Sequence, residues 1–255
     1  MGHPRKNLQR PCCYHVTHRC HDREFLLKFR RDRRNYVERL RQASRRFGIE
    51  VLTYMVTSNH VHLLVWAERA DQVSSAMHFL QGTAAGDYNR RKGREGAFWR
   101  GRYRPTLVES GHHLSRCLLY VELNMVRARV CDHPEEWVGG AFREHLNPRH
   151  RYRVIALDRL LAVLGMADHA QFVSWYTATI REQLEAGYHV REPFWSSVLA
   201  VGTQQWVRGI AGTIMGVTVE RVEPLPDLGT AESPGTYVAH GSTRTARAFW
   251  EAWSA

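Results

Sequence analysis

The sequence predicts an α+β fold built on a ferredoxin-like split βαβ sheet, and three observations point to it. Strand and helix patterns alternate in the order β-α-β-β-α-β over residues 13–110. A further helical pattern covers about residues 112–129, directly after the fourth strand. The order is typical of a four-stranded antiparallel sheet with its helices on one face, which would leave the other face free for a ligand.

Each element has a local signature. Residues 13–19 alternate as a short strand, and about 23–47 carry one apolar stripe at helical spacing that Gly48 ends. Residues 57–59 form a tight turn between two strand patterns. The remaining elements are strands at 49–56, 60–66 and 105–110 and a helix from about 71 to 89.

The composition changes near residue 148. Residues 130–150 contain Pro134 and Pro148 and are interpreted as a boundary, which gives one domain over 1–148 and a second region over 149–255. The second region is expected to be mainly α-helical, with helix patterns at 155–165, 168–186 and 203–213. Residues 222–242 are rich in Pro, Gly, Ser and Thr and are expected to be loose. Two tryptophans follow in the final ARAFWEAWSA, where they could dock on the body or on a partner.

Positive charge is concentrated in the first part of the chain. Residues 1–148 contain 26 Lys and Arg against 15 Asp and Glu, whereas residues 149–255 contain 10 of each. Nearly all of the basic residues are arginine, which binds phosphates through two parallel hydrogen bonds and stacks on bases. The first part is therefore expected to bind a nucleic acid.

Other classes of protein are disfavoured by the same composition. The chain has no apolar run near the 18 or so residues that a membrane span needs, and its first residues lack the apolar stretch of a signal peptide. Its five cysteines show no repeated pair spacing, which suits reduced thiols. We expect a cytoplasmic protein that does not contact membranes.

His60 and His62 are candidate metal ligands. On a strand, side chains at positions i and i+2 point to the same face, so both imidazoles can reach one cation while Val61 points away. Imidazoles suit Mn, Zn, Fe or Ni better than Mg. A chain with 15 histidines should contain roughly one such pair by chance. The position of the pair directly after a tight turn is what favours a site.

Tyr120 and Asn124 share one face of the helix predicted over 112–129, because they are four residues apart. They lie to one side of its apolar stripe. A tyrosine in that position is more often an amphipathic residue at the edge of the core, with its hydroxyl in water.

Aromatic and basic residues alternate from Phe98 to Pro105. Trp99, Arg100, Arg102 and Arg104 are candidate contacts to a single strand, since rings stack on bases and guanidinium groups bind the backbone. The alternative is a basic loop that leads into the fourth strand. A rival zinc site at Cys12, Cys13, His15, His18, Cys20 and His21 is disfavoured because these residues lack ligand-pair spacing.

Four segments in register resemble a known family. The segments YHVTHRC, SNHVHLLV, FWRGRYRPTLVES and CLLYVELNMVRARV together resemble the insertion-sequence-200-like transposases, and most closely the REP-associated tyrosine transposases. The resemblance covers about residues 12–145. It departs from the family at Met125, where proline is usual, at Arg129, where glycine is common, and at Thr57-Ser58 before the Asn-His pair. A non-proline at 125 is expected to make the helix more regular.

The resemblance implies an enzyme and its site residues. His60, His62 and the Asn124 amide would bind a divalent metal, Mg or Mn, and Tyr120 would be the nucleophile. Arg127, one turn beyond Asn124, could offset charge that develops on the phosphate. His15 matches a family position for which the sequence suggests no physical role.

The implied activity is cleavage and rejoining of single-stranded DNA near hairpins through a 5′-phosphotyrosine intermediate. A non-catalytic binder of structured DNA or RNA and a relaxase or replication initiator are the alternatives. A homodimer that shares its active site between two chains is also left open.

Overall fold

The computed structural model describes residues 11–187, 191–211, 219–225 and 235–241, and the structural statements below concern these residues. Its first four strands are β1 (Cys12–Arg19), β2 (Glu50–Val56), β3 (His60–Ala67) and β4 (Arg104–Val108). They pair antiparallel in the order β2-β3-β1-β4. The predicted ferredoxin-like core is confirmed.

Two helices cover one face of this sheet. They are α1 (Arg30–Phe47) and α2 (Ala70–Lys92), which pack on each other. Gly48 ends α1 in the left-handed conformation, with φ of 69°, as predicted. The start of α1 was predicted seven residues too early, because residues 21–23 form a separate 3₁₀ turn.

The other face of the sheet is covered rather than open. Helix α3 (His112–Glu122) contacts β2, β3 and β4 there, and a short helix α4 (Asn124–Arg127) follows it. The single regular helix expected over 112–129 is wrong, since Leu123, with ψ of 9°, separates α3 from α4. The break lies between Tyr120 and Asn124 and therefore affects how these two side chains are placed.

The segment expected to be a boundary packs along the edge of β2. The backbone N–H of Val56 donates to the Gly139 carbonyl at 2.8 Å, and that of Ala141 donates to the Tyr54 carbonyl at 3.1 Å. A side chain at Gly139 would collide with the Val56 carbonyl, so the close approach requires glycine. A short helix α5 (Phe142–Leu146) completes the segment.

The second region begins with helices and then joins the sheet. Its helices are α6 (Leu157–Leu164), α7 (His169–Glu185) and α8 (Gln204–Ala211), and its strands are β5 (Ala200–Gly202), β6 (Val219–Pro224) and β7 (Tyr237–Gly241). Strand β5 pairs parallel with β4, which extends the order to β2-β3-β1-β4-β5-β7-β6. The sheet has seven strands among the described residues, not the four that were expected.

Part of the segment expected to be loose is ordered. Within residues 222–242, the end of β6 and all of β7 pair with each other. Residues 226–234 and 242, and the two tryptophans of the final ten residues, lie outside the described residues. In the parts of the chain that the structure describes, no helix is long and apolar enough to cross a membrane.

Candidate active site

His60 and His62 lie on the face of β3 that α3 covers. In the register of the sheet His62 is opposite Thr17 of β1 and His60 is opposite Arg19. The two imidazole rings are 5.0 Å apart between centroids. His62 is buried, and His60 is half-buried at the start of β3. The alternation of a strand thus brings the two rings together as predicted.

Tyr120 of α3 and Asn124 of α4 lie next to this histidine pair. The Tyr120 ring lies 6.0 Å from the His62 ring between centroids, and Tyr120 is only 6% exposed. The side-chain nitrogen of Asn124 lies 3.2 Å from Nε2 of His62. The structure therefore brings together all four residues for which the resemblance implies a role.

The turn before β3 orients His60. Nδ1 of His60 lies 2.8 Å from Oδ1 of Asn59 and 2.9 Å from the Thr57 hydroxyl. Because the Asn59 oxygen can only accept, Nδ1 of His60 carries the proton and Nε2 keeps its lone pair. The Thr57 hydroxyl also accepts from the backbone N–H of His60 at 3.0 Å. Thr57, at which the chain departs from the family, thus supports the turn.

Both histidines of the pair are neutral near pH 7. Burial, with smaller contributions from the charges of Arg19 and Arg191, lowers the pKa of His60 to about 4. Burial also lowers the pKa of His62 well below its usual value, with added effects of His60 and His15. Neutral imidazoles are the form that binds a metal ion.

Tyr120 carries its proton near pH 7. Burial raises the pKa of its hydroxyl, and the nearby positive charges of Arg127 and Arg191 oppose this effect. The guanidinium of Arg127 lies 4.0 Å from the centre of the Tyr120 ring. The hydroxyl is therefore set among positive charges without being ionised in the free protein.

His15 is the main residue that the sequence left without a role. Its Nε2 lies 2.9 Å from Nδ1 of His62, and its Nδ1 lies 2.8 Å from the carbonyl oxygen of Trp195. The Trp195 ring itself lies 6.1 Å from the Tyr120 ring. Strand alternation could have placed His15 on the face of His62. No local pattern identified Trp195, which comes from the second region.

Two further arginines near the site were also missed. The charges of Arg19 and Arg191 act on His60, and that of Arg191 acts on Tyr120 as well. Arg19 lies on the same face of β1 as His15, four residues on, so alternation could have identified it. Arg191, like Trp195, belongs to the second region and carries no local signal.

Of the residues predicted to contact DNA, Trp99, Arg100 and Arg102 lie in the loop before β4, Arg104 begins β4, and Arg127 ends α4. Trp99 is half-buried: it stacks on the His18 ring at 4.3 Å, and its indole N–H donates to the Gln81 carbonyl at 3.2 Å. Arg100, Arg102 and Arg104 are exposed. Their contact with DNA remains a prediction.

The side chains of the site fit a divalent metal. Nε2 of His60 keeps its lone pair, His62 is neutral, and the Asn124 amide lies beside Nε2 of His62. The oxygen and nitrogen of an amide exchange places by a half-turn, so the Asn124 oxygen can face the same position. Among the described residues no group of three or more His, Cys, Asp and Glu is arranged to hold a metal, and the proposed set differs in using an amide.

Comparison with known proteins agrees with the motifs. Residues 9–124 match the family model described as "Transposase IS200 like". A solved structure described as a REP-associated tyrosine transposase bound to a REP hairpin is 15% identical, over 58% of this chain and 87% of that chain, with a TM-score of 0.46. No curated protein matches the chain. The resemblance to the insertion-sequence-200-like transposases is confirmed for residues 9–124, and the closer resemblance to the REP-associated kind stays a prediction.

Proposed function

We propose, from the match of residues 9–124 to the IS200-like transposases, that this chain is a metal-dependent tyrosine transposase that cleaves and rejoins single-stranded DNA near hairpins. One observation carries the proposal. His60, His62, Tyr120 and Asn124 converge from a strand and two helices onto one position beside the sheet. A protein that only binds nucleic acid has no use for this combination.

Tyr120 is the proposed nucleophile. Its hydroxyl oxygen would attack the scissile phosphorus, forming a 5′-phosphotyrosine, while the bond to the 3′ oxygen breaks and that oxygen leaves as a 3′-hydroxyl with the proton. One phosphodiester replaces another, so a different 3′-hydroxyl can reverse the step without an external energy source. Because the pKa of Tyr120 is raised by burial, proton removal must accompany attack rather than precede it.

His60, His62 and Asn124 are the proposed metal ligands, through two imidazole Nε2 atoms and the amide oxygen. A divalent cation held there would polarise a non-bridging oxygen of the phosphate. All three ligands are neutral, so they would leave the cation's charge available to an anionic substrate. Imidazole nitrogens favour Mn over Mg on ligand softness, although the family resemblance allows either.

Positive side chains around the site supply the remaining charge compensation. Arg127 lies against Tyr120, and the charges of Arg19 and Arg191 reach His60. Fixed cations near a phosphate stabilise charge that grows during its transfer. The exposed Arg100, Arg102 and Arg104 would hold the DNA backbone leading away from the site.

The DNA would have to be single-stranded at the cut, because a duplex hides the scissile phosphate from a buried tyrosine. The family resemblance is the reason to propose a DNA hairpin next to the cut. We also propose a cytoplasmic location.

Tyr120 and His62 of the same chain are in contact, which supports a site complete within one chain over a site shared in a homodimer.

The test is covalent capture of DNA. Single-stranded oligonucleotides with candidate hairpins, labelled at the 5′ or the 3′ end, would be incubated with the protein and Mn²⁺ or Mg²⁺. We expect an adduct that carries only the label on the 3′ side of the cut, lost in Tyr120→Phe and in the double variant His60→Ala/His62→Ala. Tyr152→Phe is the matched control, since Tyr152 is exposed and packs near Arg41 of α1.

Two results would contradict the proposal. An adduct formed by Tyr120→Phe would show that another residue is the nucleophile. Wild-type protein that binds hairpins but forms no adduct with either metal would favour the non-catalytic binder.

A further inference from the structure

A chain of hydrogen bonds runs from the second region into the candidate metal site. The carbonyl oxygen of Trp195 lies 2.8 Å from Nδ1 of His15, and Nε2 of His15 lies 2.9 Å from Nδ1 of His62. Nε2 of His62 then faces the Asn124 amide at 3.2 Å. The planes of the two imidazoles are nearly parallel, at 10°, and their centroids are 5.1 Å apart, as in rings joined edge to edge by a hydrogen bond.

The positions of the protons follow from the first link of this chain. A carbonyl oxygen can only accept, so Nδ1 of His15 must carry a proton. A neutral imidazole has one N–H, so Nε2 of His15 is an acceptor and Nδ1 of His62 must donate to it. Nε2 of His62 is left with its lone pair, on the side of Asn124.

His15 is suited to stay neutral in this position. It is fully buried, and its ring neighbours are His62, Tyr120 and Trp195, which are not anionic. Burial without a negative partner disfavours the charged imidazolium.

The Trp195 carbonyl is held firmly by its own surroundings. The Trp195 side chain is completely buried, and its indole N–H donates to Oε2 of Glu192 at 2.7 Å. Glu192 forms an ion pair with Arg116 of α3. The Thr106 hydroxyl of β4 lies within hydrogen-bond distance of the same Trp195 carbonyl, at 3.1 Å.

Pairing of β5 with β4 fixes the rest of this segment. Leu107 of β4 is in register with Ala200, five residues after Trp195. The backbone N–H of Leu107 donates to the Leu199 carbonyl at 2.9 Å. The carbonyl of Trp195 is therefore positioned by the sheet itself and not by a mobile tail.

We propose that residues 192–202 of the second region are a positioning element of the active site, in which the Trp195 carbonyl, acting through His15, fixes the tautomer and ring orientation of His62. His15 is then a positioning residue and not a catalytic one. The identity of His62 as a metal ligand rests on the proposed function, whereas its tautomer does not. Loss of such an outer partner typically lowers metal affinity about 10- to 100-fold.

The first test reads the tautomer directly in metal-free protein. With ¹⁵N-labelled histidine, we expect His62 of the wild type to show a protonated Nδ1 and an unprotonated Nε2. In His15→Leu we expect a mixture of both tautomers, because the acceptor is gone. His15→Gln should restore the wild-type pattern, since the Gln amide can donate to Trp195 and accept from His62.

The second test measures Mn²⁺ affinity in the same proteins. His15→Leu should bind Mn²⁺ about 10- to 100-fold more weakly than the wild type, and His15→Gln should lie close to the wild type. His113→Gln is the matched control, because His113 is a buried histidine at the start of α3 whose Nδ1 lies 3.5 Å from Oε2 of Glu109. It should leave both the His62 tautomer and the affinity unchanged.

The outcomes separate this inference from the proposed function. A wild-type His62 with its proton on Nε2 would overturn the inference, and this reading needs no variant to fold. Unchanged tautomer and unchanged Mn²⁺ affinity in His15→Leu would also overturn it. If the wild type shows the expected tautomer but binds no Mn²⁺, the inference on His62 stands and the proposed metal-dependent function fails.

Discussion

Arg127 folds back onto Tyr120. Its guanidinium carbon lies 4.0 Å from the centre of the Tyr120 ring, and its Nη2 donates to the Tyr120 carbonyl at 2.6 Å. The two residues are two helical turns apart, with the break at Leu123 between them. The contact gives Arg127 a second role beside the expected one at the phosphate, because it also holds the ring of the proposed nucleophile in place.

Removal of this charge should slow formation of the covalent adduct. For Arg127→Gln we expect a loss of rate on the order of 100-fold, which is typical when one fixed group that stabilises charge is removed. Arg127→Lys should recover only part of the rate, because an ammonium group cannot both cover the ring and donate as a planar fork. The measurement is single-turnover adduct formation with saturating oligonucleotide. A rate for Arg127→Gln within a factor of two of the wild type would contradict the role.

Arg191 should contribute to DNA binding although it lies outside the basic part of the chain. Its charge reaches both His60 and Tyr120. In Arg191→Gln we expect weaker binding of single strands and a slope of log affinity against log salt that is smaller by about one. Binding titrations at several salt concentrations give the slope.

Arg181→Gln is the control for this experiment, since Arg181 is an exposed arginine of α7 in the same region. Equal slopes for the two variants would mean that Arg191 acts only through overall charge.

Arg129 stands in a position that favours glycine. Its φ is 55°, and the backbone N–H groups of Arg129 and Val130 donate to the carbonyls of Val126 and Met125, which is the Schellman arrangement at a helix end. A side chain in this left-handed conformation costs about 1 kcal/mol or more. The family's common glycine here is thus explained by the backbone that this chain retains.

We therefore expect Arg129→Gly to raise the free energy of unfolding by about 1 kcal/mol. Arg129→Ala removes the same charge but keeps the strained Cβ, so it should show no such gain. Chemical denaturation of both variants and the wild type is the measurement. Equal stabilisation by both substitutions would assign the effect to charge rather than to the backbone.

Local patterns predicted the core of the fold and the placement of four candidate site residues, whose roles came from the family resemblance. Strand alternation places His60 and His62 on one face, and helical spacing brings Tyr120 and Asn124 to the same side. The spacing did not show the break at Leu123, because the residues around it are all compatible with a continuous helix.

Contacts between distant segments account for what the sequence could not predict. Trp195 and Arg191 reach the site only because β5 pairs with β4 across more than 90 residues. The short β5 has no alternating pattern of its own, and the sequence around Arg191 and Trp195 indicated no function for these residues. Strand pairing of this kind depends on the complete tertiary structure.

Acid should destabilise the fold partly through His18. His18 is buried, its Nε2 donates to the Gly101 carbonyl at 3.0 Å, and its ring stacks on Trp99. Burial lowers the pKa of His18 to about 4 from a usual value of 6.5, while the hydrogen bond to Gly101 opposes this. Between these two pH values the unfolded chain binds a proton that the folded chain does not, so stability falls as the pH decreases.

His18 should therefore not affect the free energy of unfolding at pH 7. Near pH 4 it should lower the free energy of unfolding by roughly 3 kcal/mol. His18→Gln keeps a donor for Gly101 but cannot titrate. Other buried histidines with a lowered pKa act in the same direction in both proteins, so the difference between the two isolates His18. In urea unfolding at pH 7, 6, 5 and 4, the free energy of unfolding of the variant should rise relative to that of the wild type at each lower pH. A constant difference across the series would mean that His18 is protonated in the folded protein as easily as in the unfolded chain.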